Sequence, residues 1–411
     1  MYFVMIFFSK FRVYAALLSA LILIIAGVMS PAEAFFAINW NVLMMISGTM
    51  VVVYYFIDSK MPSRIADILM KKSKNVMWLI ILISLFSGIV SAFIDNVATV
   101  LMIAPVGLAI CKKLNINPVS VIISIAVSSN LQGAATLVGD TTSILLGGYA
   151  GMNFLDFFWF KGRPGMFFTV ELGAGATVFI MLILFRQYKQ KVELSEETRV
   201  NDIVPTVMLS LIVVLLITVS FIPNKPEMIN GIICMSIALI TMIQDYIRHK
   251  DRERLKAAIK DVDYETLLLL LGIFVVVQSL TETGLIEDMA GGIIKAGKGS
   301  LFLLYTVIVW ASVLISAFVD NIPYVATMLP VVRAISASLG IEPYLLYFGL
   351  LTGATLGGNL TPVGASANIT ATGILKKEGY EVKFKDFAKI GIPFTLTAVM
   401  VGYLFVWFVW K

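Results

Sequence analysis

The sequence predicts an all-α membrane protein built from two inverted repeats, each with one re-entrant hairpin and one broken transmembrane helix. Three observations predict it. Of 411 residues, 59% are hydrophobic and 14% charged, against about 25% charged in a soluble domain, so much apolar surface must face lipid. Apolar runs of spanning length recur along the whole chain. The second half also repeats the first at a fixed offset.

Composition removes several function classes. Cys111 and Cys234 each lie within or at the end of an apolar run, with neither a disulfide framework nor metal-ligand spacing. The single histidine, His249, sits in a charged loop, so no histidine-based catalytic or metal site can be built. No nucleophile–base pair appears, which argues against an enzyme. The net charge of +5 is spread over short loops between apolar stretches. That pattern reads as membrane topology and not as a nucleic-acid face.

Taken in order, Lys10 and Arg12 precede an apolar run from Val13 to Met29. With Ala32-Glu33-Ala34 after it, the run has the outline of a cleaved signal peptide, but the repeat requires this segment as a helix. Runs at 4–29, 36–57, 166–187, 203–222, 228–248, 263–283 and 387–410 approach the roughly 20 residues that cross a bilayer. The stretches 118–150 and 343–376 are long and rich in Gly, Thr, Ser and Asn, and are read as broken crossings. The stretches 77–112 and 301–339 are each interrupted by Asp-Asn. They are read as re-entrant hairpins, because such a turn at mid-membrane is tolerated only inside protein. Ser63–Lys72 reads as an amphipathic surface helix.

Nine crossings result, and charge orients them. Residues 1–12, 58–76, 112–117, 186–202, 248–262 and 376–389 fall on the side of the N-terminus and hold 24 of the 31 Lys and Arg residues. Cytoplasmic loops carry the positive excess, which places the N-terminus inside the cell membrane and the C-terminus outside.

The repeat is read at a shift of 225 residues. Ser91-Ala92-Phe93-Ile94-Asp95-Asn96 falls on Ser316-Ala317-Phe318-Val319-Asp320-Asn321, Pro105 on Pro330, Pro118 on Pro343, and Thr136 and Gly139 on Thr361 and Gly364. From Ser87 to Ile144, 20 of 58 ungapped positions are identical. Apolar composition can supply matching Leu and Val, but not paired Asp, Asn, Pro and Gly. The organisation is therefore a first repeat over 1–187, a linker with an unpaired helix over 188–227, and a second repeat over 228–411. The odd helix inverts the second repeat, an arrangement used by transporters whose interrupted helices meet at the midplane.

Asp95 and Asp320 sit at the hairpin tips beside Asn96 and Asn321. A carboxylate at membrane depth needs a partner or a cavity. Each can cap the half-helix that follows, hold a cation, or do both. The second constellation breaks the crossings: Thr136, Gly139 and Asp140 in the first half, and Asn359, Thr361, Gly364, Ser366 and Asn368 in the second. Glycines and a proline free carbonyls and N–H groups there, which can serve Na⁺, an anion or only a packing kink. Asp140 has no acidic counterpart, since Ala365 takes its place. Gln132, Gln278 and Glu171 read as structural.

At these residues the whole chain resembles the ion transporter superfamily, in its arsenite-permease and sodium–proton antiporter (ArsB/NhaD) branch. Asn359-Leu360-Thr361-Pro362-Val363-Gly364-Ala365-Ser366-Ala367-Asn368, with Gly373 and Lys377-Glu378-Gly379-Tyr380, is similar to that branch's C-terminal signature. The Gly-Ala-Ser-Ala-Asn portion is most similar to the pigmentation P protein group. Related sodium–dicarboxylate carriers have Ser-Asn-Thr at their hairpin tips. This chain matches the Asn and departs at the first position, where Asp95 and Asp320 stand. The resemblance implies an elevator-type homodimer in a lipid bilayer, with Na⁺ or H⁺ as coupling ion at Asp95-Asn96 and Asp320-Asn321 and no other cofactor.

Two extra carboxylates beside the substrate repel a dianion by about 1 kcal/mol even at 4 Å in water, and by more inside protein. They favour exchange of H⁺ or Na⁺ for a cation or a small inorganic acid such as arsenite. Sodium-driven uptake of a citrate- or dicarboxylate-type substrate is the second reading, and an ion channel is a third from another class.

Overall fold

A computed structural model describes the chain except residues 2–3, 5–10, 115, 191–197 and 223. Lys10 and part of the first expected crossing therefore lie outside the described residues. Nineteen α-helices are described, with one two-stranded antiparallel hairpin, Trp159–Phe160 paired to Arg163–Pro164. The protein is a multi-pass membrane protein of the expected class.

The first repeat contains α1 (Arg12–Ile25), α2 (Pro31–Ala37), α3 (Trp40–Asp58), α4 (Met61–Lys72), α5 (Val76–Ser91), α6 (Asn96–Lys113), α7 (Val119–Gly133), α8 (Thr141–Ala150) and α9 (Met166–Phe185). The unpaired α10 (Val204–Ser220) follows. The second repeat contains α11 (Ile229–His249), α12 (Arg252–Lys260), α13 (Tyr264–Glu282), α14 (Leu285–Ala296), α15 (Leu301–Ser316), α16 (Asn321–Leu339), α17 (Tyr344–Gly357), α18 (Ser366–Lys377) and α19 (Phe384–Trp410). The two hairpins are α5–α6 and α15–α16, and the two broken helices are α7–α8 and α17–α18. The amphipathic run before the first hairpin is α4, and its counterpart before the second is α14, which meets α15 at 114°.

Among the described residues six helices are long and apolar enough to cross a membrane alone: α3, α9, α11, α13, α16 and α19. The other expected crossings are shorter pieces. The breaks divide α7 from α8 and α17 from α18, and α1 and α10 hold 14 and 17 residues. The arm α16 has spanning length, yet it begins at a capped Asp320 inside the protein. By length and composition, then, one expected hairpin arm qualifies as a span and several expected crossings do not.

The repeats are intertwined. α11 packs on α3, where a Cβ at Gly48 would come within 2.4 Å of the Cys234 backbone. The same contact recurs between α1 and α13, where a Cβ at Gly272 would come within 2.7 Å of the Ala16 backbone. Each repeat thus lends its first helix to the other. At the loop end of this frame, Arg254 on α12 pairs with Asp58 of α3 at 2.7 Å and with Asp245 of α11 at 3.1 Å.

The broken helices run through the middle, and every residue from Val121 to Gly133 and from Leu345 to Gly357 is buried. Small residues permit this crowding. Gly349, Gly353 and Gly357 form a stripe on α17 against Tyr305, Val309 and Val313 of α15. A helix this polar is stable at depth only when its side chains are answered inside protein.

Candidate ion and substrate site

The two hairpin tips and the two breaks meet at the centre. Each tip is a helix start capped by its own acid. Asp95 Oδ1 accepts from the N–H groups of Val97 at 2.9 Å and Ala98 at 3.3 Å. Asp320 Oδ1 accepts from the N–H of Ile322 at 3.1 Å. The capping role is therefore real in both halves, and it leaves one oxygen of each carboxylate for something else.

The breaks are fastened to the tips by matched contacts. Thr136 Oγ1 donates to the Ala92 carbonyl, and Thr361 Oγ1 donates to the Ala317 carbonyl. A Cβ at Gly139 would lie 2.6 Å from the Ala92 carbonyl oxygen, and one at Gly364 would lie 2.7 Å from that of Ala317. Thr136, Gly139, Thr361 and Gly364 are thus fixtures that bind each break to its hairpin, and none of them lines the central cavity.

Asparagines knit the halves together. Asn96 Oδ1 accepts from Ser91 at 2.7 Å, and its Nδ2 donates to Asn130 Oδ1 at 3.2 Å. Asn130 Nδ2 donates to Asn359 Oδ1 at 2.8 Å and Asn368 Oδ1 at 3.2 Å. Asn359 Nδ2 in turn donates to the Val127 carbonyl at 3.0 Å. Asn368 Nδ2 donates to the carbonyls of Gly358 and Thr361 at 3.0 and 3.2 Å. Several carbonyls freed by the second break are thus answered by side-chain amides.

A cavity of about 40 Å³ remains between the tips, lined by Asp95, Asn96, Asn130, Asp140, Asn321 and Ser366, with Asp263 at its edge. That is room for an ion with a few waters at most. Asp140 Oδ2 accepts from Thr142 Oγ1 at 2.7 Å, and Thr142 touches Thr355 of the other repeat at 3.1 Å. The hydrogen bonds that Asp95 accepts from Val97 and Ala98 both go to Oδ1. Asn321 is 6% exposed and its side chain makes no hydrogen bond to a described residue. Asp95 and Asn321 both line this cavity. Among the described residues no three His, Cys, Asp or Glu side chains converge to hold a metal ion.

The two acids differ in their second oxygen. Asp320 Oδ2 receives Arg12 Nη1 at 2.7 Å and Ser366 Oγ at 3.2 Å. Arg12 comes from α1, and Asp95 has no such partner. A second cavity of about 180 Å³ joins Asp95 to the exposed Asp261 and Asp263, running between α3 at Thr49 and Val53 and α6 at Val97 and Leu101. The centre is thus reached from the side that carries the 248–262 loop. Partial burial holds the Asp261 carboxyl above its ordinary pKa.

Sequence reasoning overlooked three residues here. Asn130 stands in Ser128-Ser129-Asn130, a polar run next to the Gly133 break, and that run was the available signal. Asp263 carried only the weak signal of a polar residue at a helix start. Arg12 was counted for topology alone, and nothing local links it to a residue 308 positions away.

Comparison with known proteins agrees with the architecture. The chain matches the family described as citrate transporter over residues 2–353 and 325–411. It is 30% identical to a 46 kDa membrane protein of Mycobacterium leprae, covering 96% of this chain and 93% of that one. It is 28% identical to an uncharacterized transporter of Mycobacterium tuberculosis, covering 96% and 93%. Human P protein is 25% identical, over 89% of this chain and 53% of that protein. Among solved structures, the YdaH transporter of Alcanivorax borkumensis aligns with a TM-score of 0.61 at 14% identity, covering 95% of this chain and 88% of that one.

Proposed function

Because the chain belongs to the citrate transporter family and is a multi-pass membrane transporter, we propose that it is an ion-coupled secondary carrier exchanging H⁺ or Na⁺ for a cation or a small inorganic acid such as arsenite. One observation carries this reading: Asp95 and Asn321 line the same small, acid-lined cavity, and the side chain of Asn321 makes no hydrogen bond to a described residue. Oxygen ligands from Asp95, Asn321 and Asp140 fit a hard cation, and any of the acids can take a proton instead. The finer placement in the arsenite-permease and antiporter branch belongs to this proposal.

The movement proposed is of elevator type within a homodimer in the cell membrane, the N-terminus cytoplasmic. The hairpins, broken helices, α9 and α19 form the moving body, and α1, α3, α10, α11 and α13 form the frame. What supports it is an uneven docking. The arm α16 packs on α13 and α8 packs on α3, whereas the 180 Å³ cavity separates α6 from α3. Exchanging the two arrangements between inverted repeats would close this opening and create one on the opposite face.

A carboxylate substrate is the second reading, favoured by the description of the matched family. The acids that line the cavity and its small volume speak against a dianion bound in this state. The test uses the protein in proteoliposomes with an imposed Na⁺ or pH gradient and arsenite, citrate or Li⁺ as candidate cargo. Accumulation above the outside concentration is expected for one cargo and one gradient. Flux that runs only downhill would identify a channel, and gradient-driven citrate uptake would establish the second reading.

A further inference from the structure

The acids at the two tips are related by the repeat, yet their surroundings are not. Asp320 is held by the Arg12 guanidinium at 2.7 Å and the Ser366 hydroxyl at 3.2 Å on one oxygen, with the Ile322 N–H on the other. The pair is largely buried, with the Arg12 side chain 23% and the Asp320 side chain 17% exposed. Among the described residues Asp95 has only backbone N–H partners, and no described Lys or Arg lines its cavity.

The frame itself is asymmetric at the matching positions. Ala16 against Gly272 and Cys234 against Gly48 are the same contact in the two halves. Four residues before Ala16 is Arg12, and four before Cys234 is Asn230. The frame position that answers Arg12 is thus an uncharged amide. Asn230 is buried and lines a separate cavity of about 630 Å³ near Asn39 and Lys225. If the repeats exchange arrangements, Asp95 approaches an asparagine where Asp320 now meets an arginine.

We propose that, in the arrangement seen here, Arg12 is a tethered counter-cation that withdraws Asp320 from ion exchange, so that in this arrangement the first-repeat acid alone takes up and releases the coupling cation at the tips. A guanidinium stays charged at any physiological pH, and its fixed link to α1 means it cannot leave with the cargo. One of two symmetric acids is thereby neutralised from within, and Arg12 sets the cation count of this arrangement. This inference rests on the reading of Asp95 as the coupling-ion acid.

The test counts cations on the purified full chain in lipid nanodiscs. Bound radiolabelled Na⁺ and protons taken up between neutral and mildly acidic pH are added to give cation equivalents per chain. Arg12→Gln should gain one equivalent over the wild type, because Asp320 is then free, and Arg12→Lys should gain none. Arg12→Gln with Asp320→Asn should return to the wild-type count. An unchanged count in Arg12→Gln, or an extra equivalent that survives in the double variant, overturns the proposal. Should Arg12→Gln fail to fold, Asp320→Asn alone decides: the wild-type count is expected, and the loss of one equivalent overturns it. Asp95→Asn is read separately. If it loses no equivalent, the coupling-ion reading of Asp95 fails, whatever the Arg12 variants show.

Discussion

Asn130 Nδ2 donates to Asn359 Oδ1 at 2.8 Å, joining the broken helix of one repeat to that of the other across 229 residues of chain. Both side chains are 1% exposed. Truncating either one leaves a buried amide without its partner, which costs about 1–3 kcal/mol. The direct bond itself contributes less, on the order of 0.6 kcal/mol between membrane helices.

These magnitudes give the first prediction. Asn130→Ala and Asn359→Ala should each lower the thermal midpoint of the purified protein. The double variant should lose less than the sum, with a coupling of about 0.5 kcal/mol or more. Strict additivity would show that the two amides do not act together.

The second prediction concerns the glycines at the breaks. Gly139→Ala and Gly364→Ala each place a methyl group against carbonyl oxygens at 2.5–2.7 Å, an overpacking worth about 1–3 kcal/mol. Both should reduce the folded fraction on size-exclusion chromatography, and by similar amounts, because the contacts are equivalent. Gly373→Ala, with no atom within 4 Å, should elute as the wild type.

Asp95 carries the third. Asn keeps an acceptor for the Val97 N–H, so Asp95→Asn should fold and insert but lose gradient-driven transport. Ala removes the cap as well and should cost a further 0.5–2 kcal/mol or so in stability. Full ion-dependent transport by Asp95→Asn would reduce this residue to a helix cap.

Topology gives the fourth. Reporter fusions after Lys250 and at Lys411 should report opposite sides of the membrane, with Lys250 in the cytoplasm. The reason is the excess of basic residues in the segments on the N-terminal side, with Arg12 set aside because it pairs with Asp320 at a hairpin tip. If both fusions report the cytoplasm, the odd number of crossings is refuted.

The sequence by itself determined the class, the repeat, the hairpins and the breaks. Lipid leaves only helices and protein-buried turns as solutions for such a chain. Asp-Asn, Gly and Pro recurring at one offset can be aligned without coordinates. The same local chemistry marked Asp95 and Asp320 as the helix caps they are. What it could not supply was the partner of each polar group. Asn130 with Asn359, and Arg12 with Asp320, meet only because each repeat lends helices to the other, and that exchange leaves no trace in local spacing. Repeat symmetry made the two acids look alike. Only the tertiary structure showed that one is matched by an arginine and the other faces a cavity, because the charge around a buried group is set by distant segments brought against it.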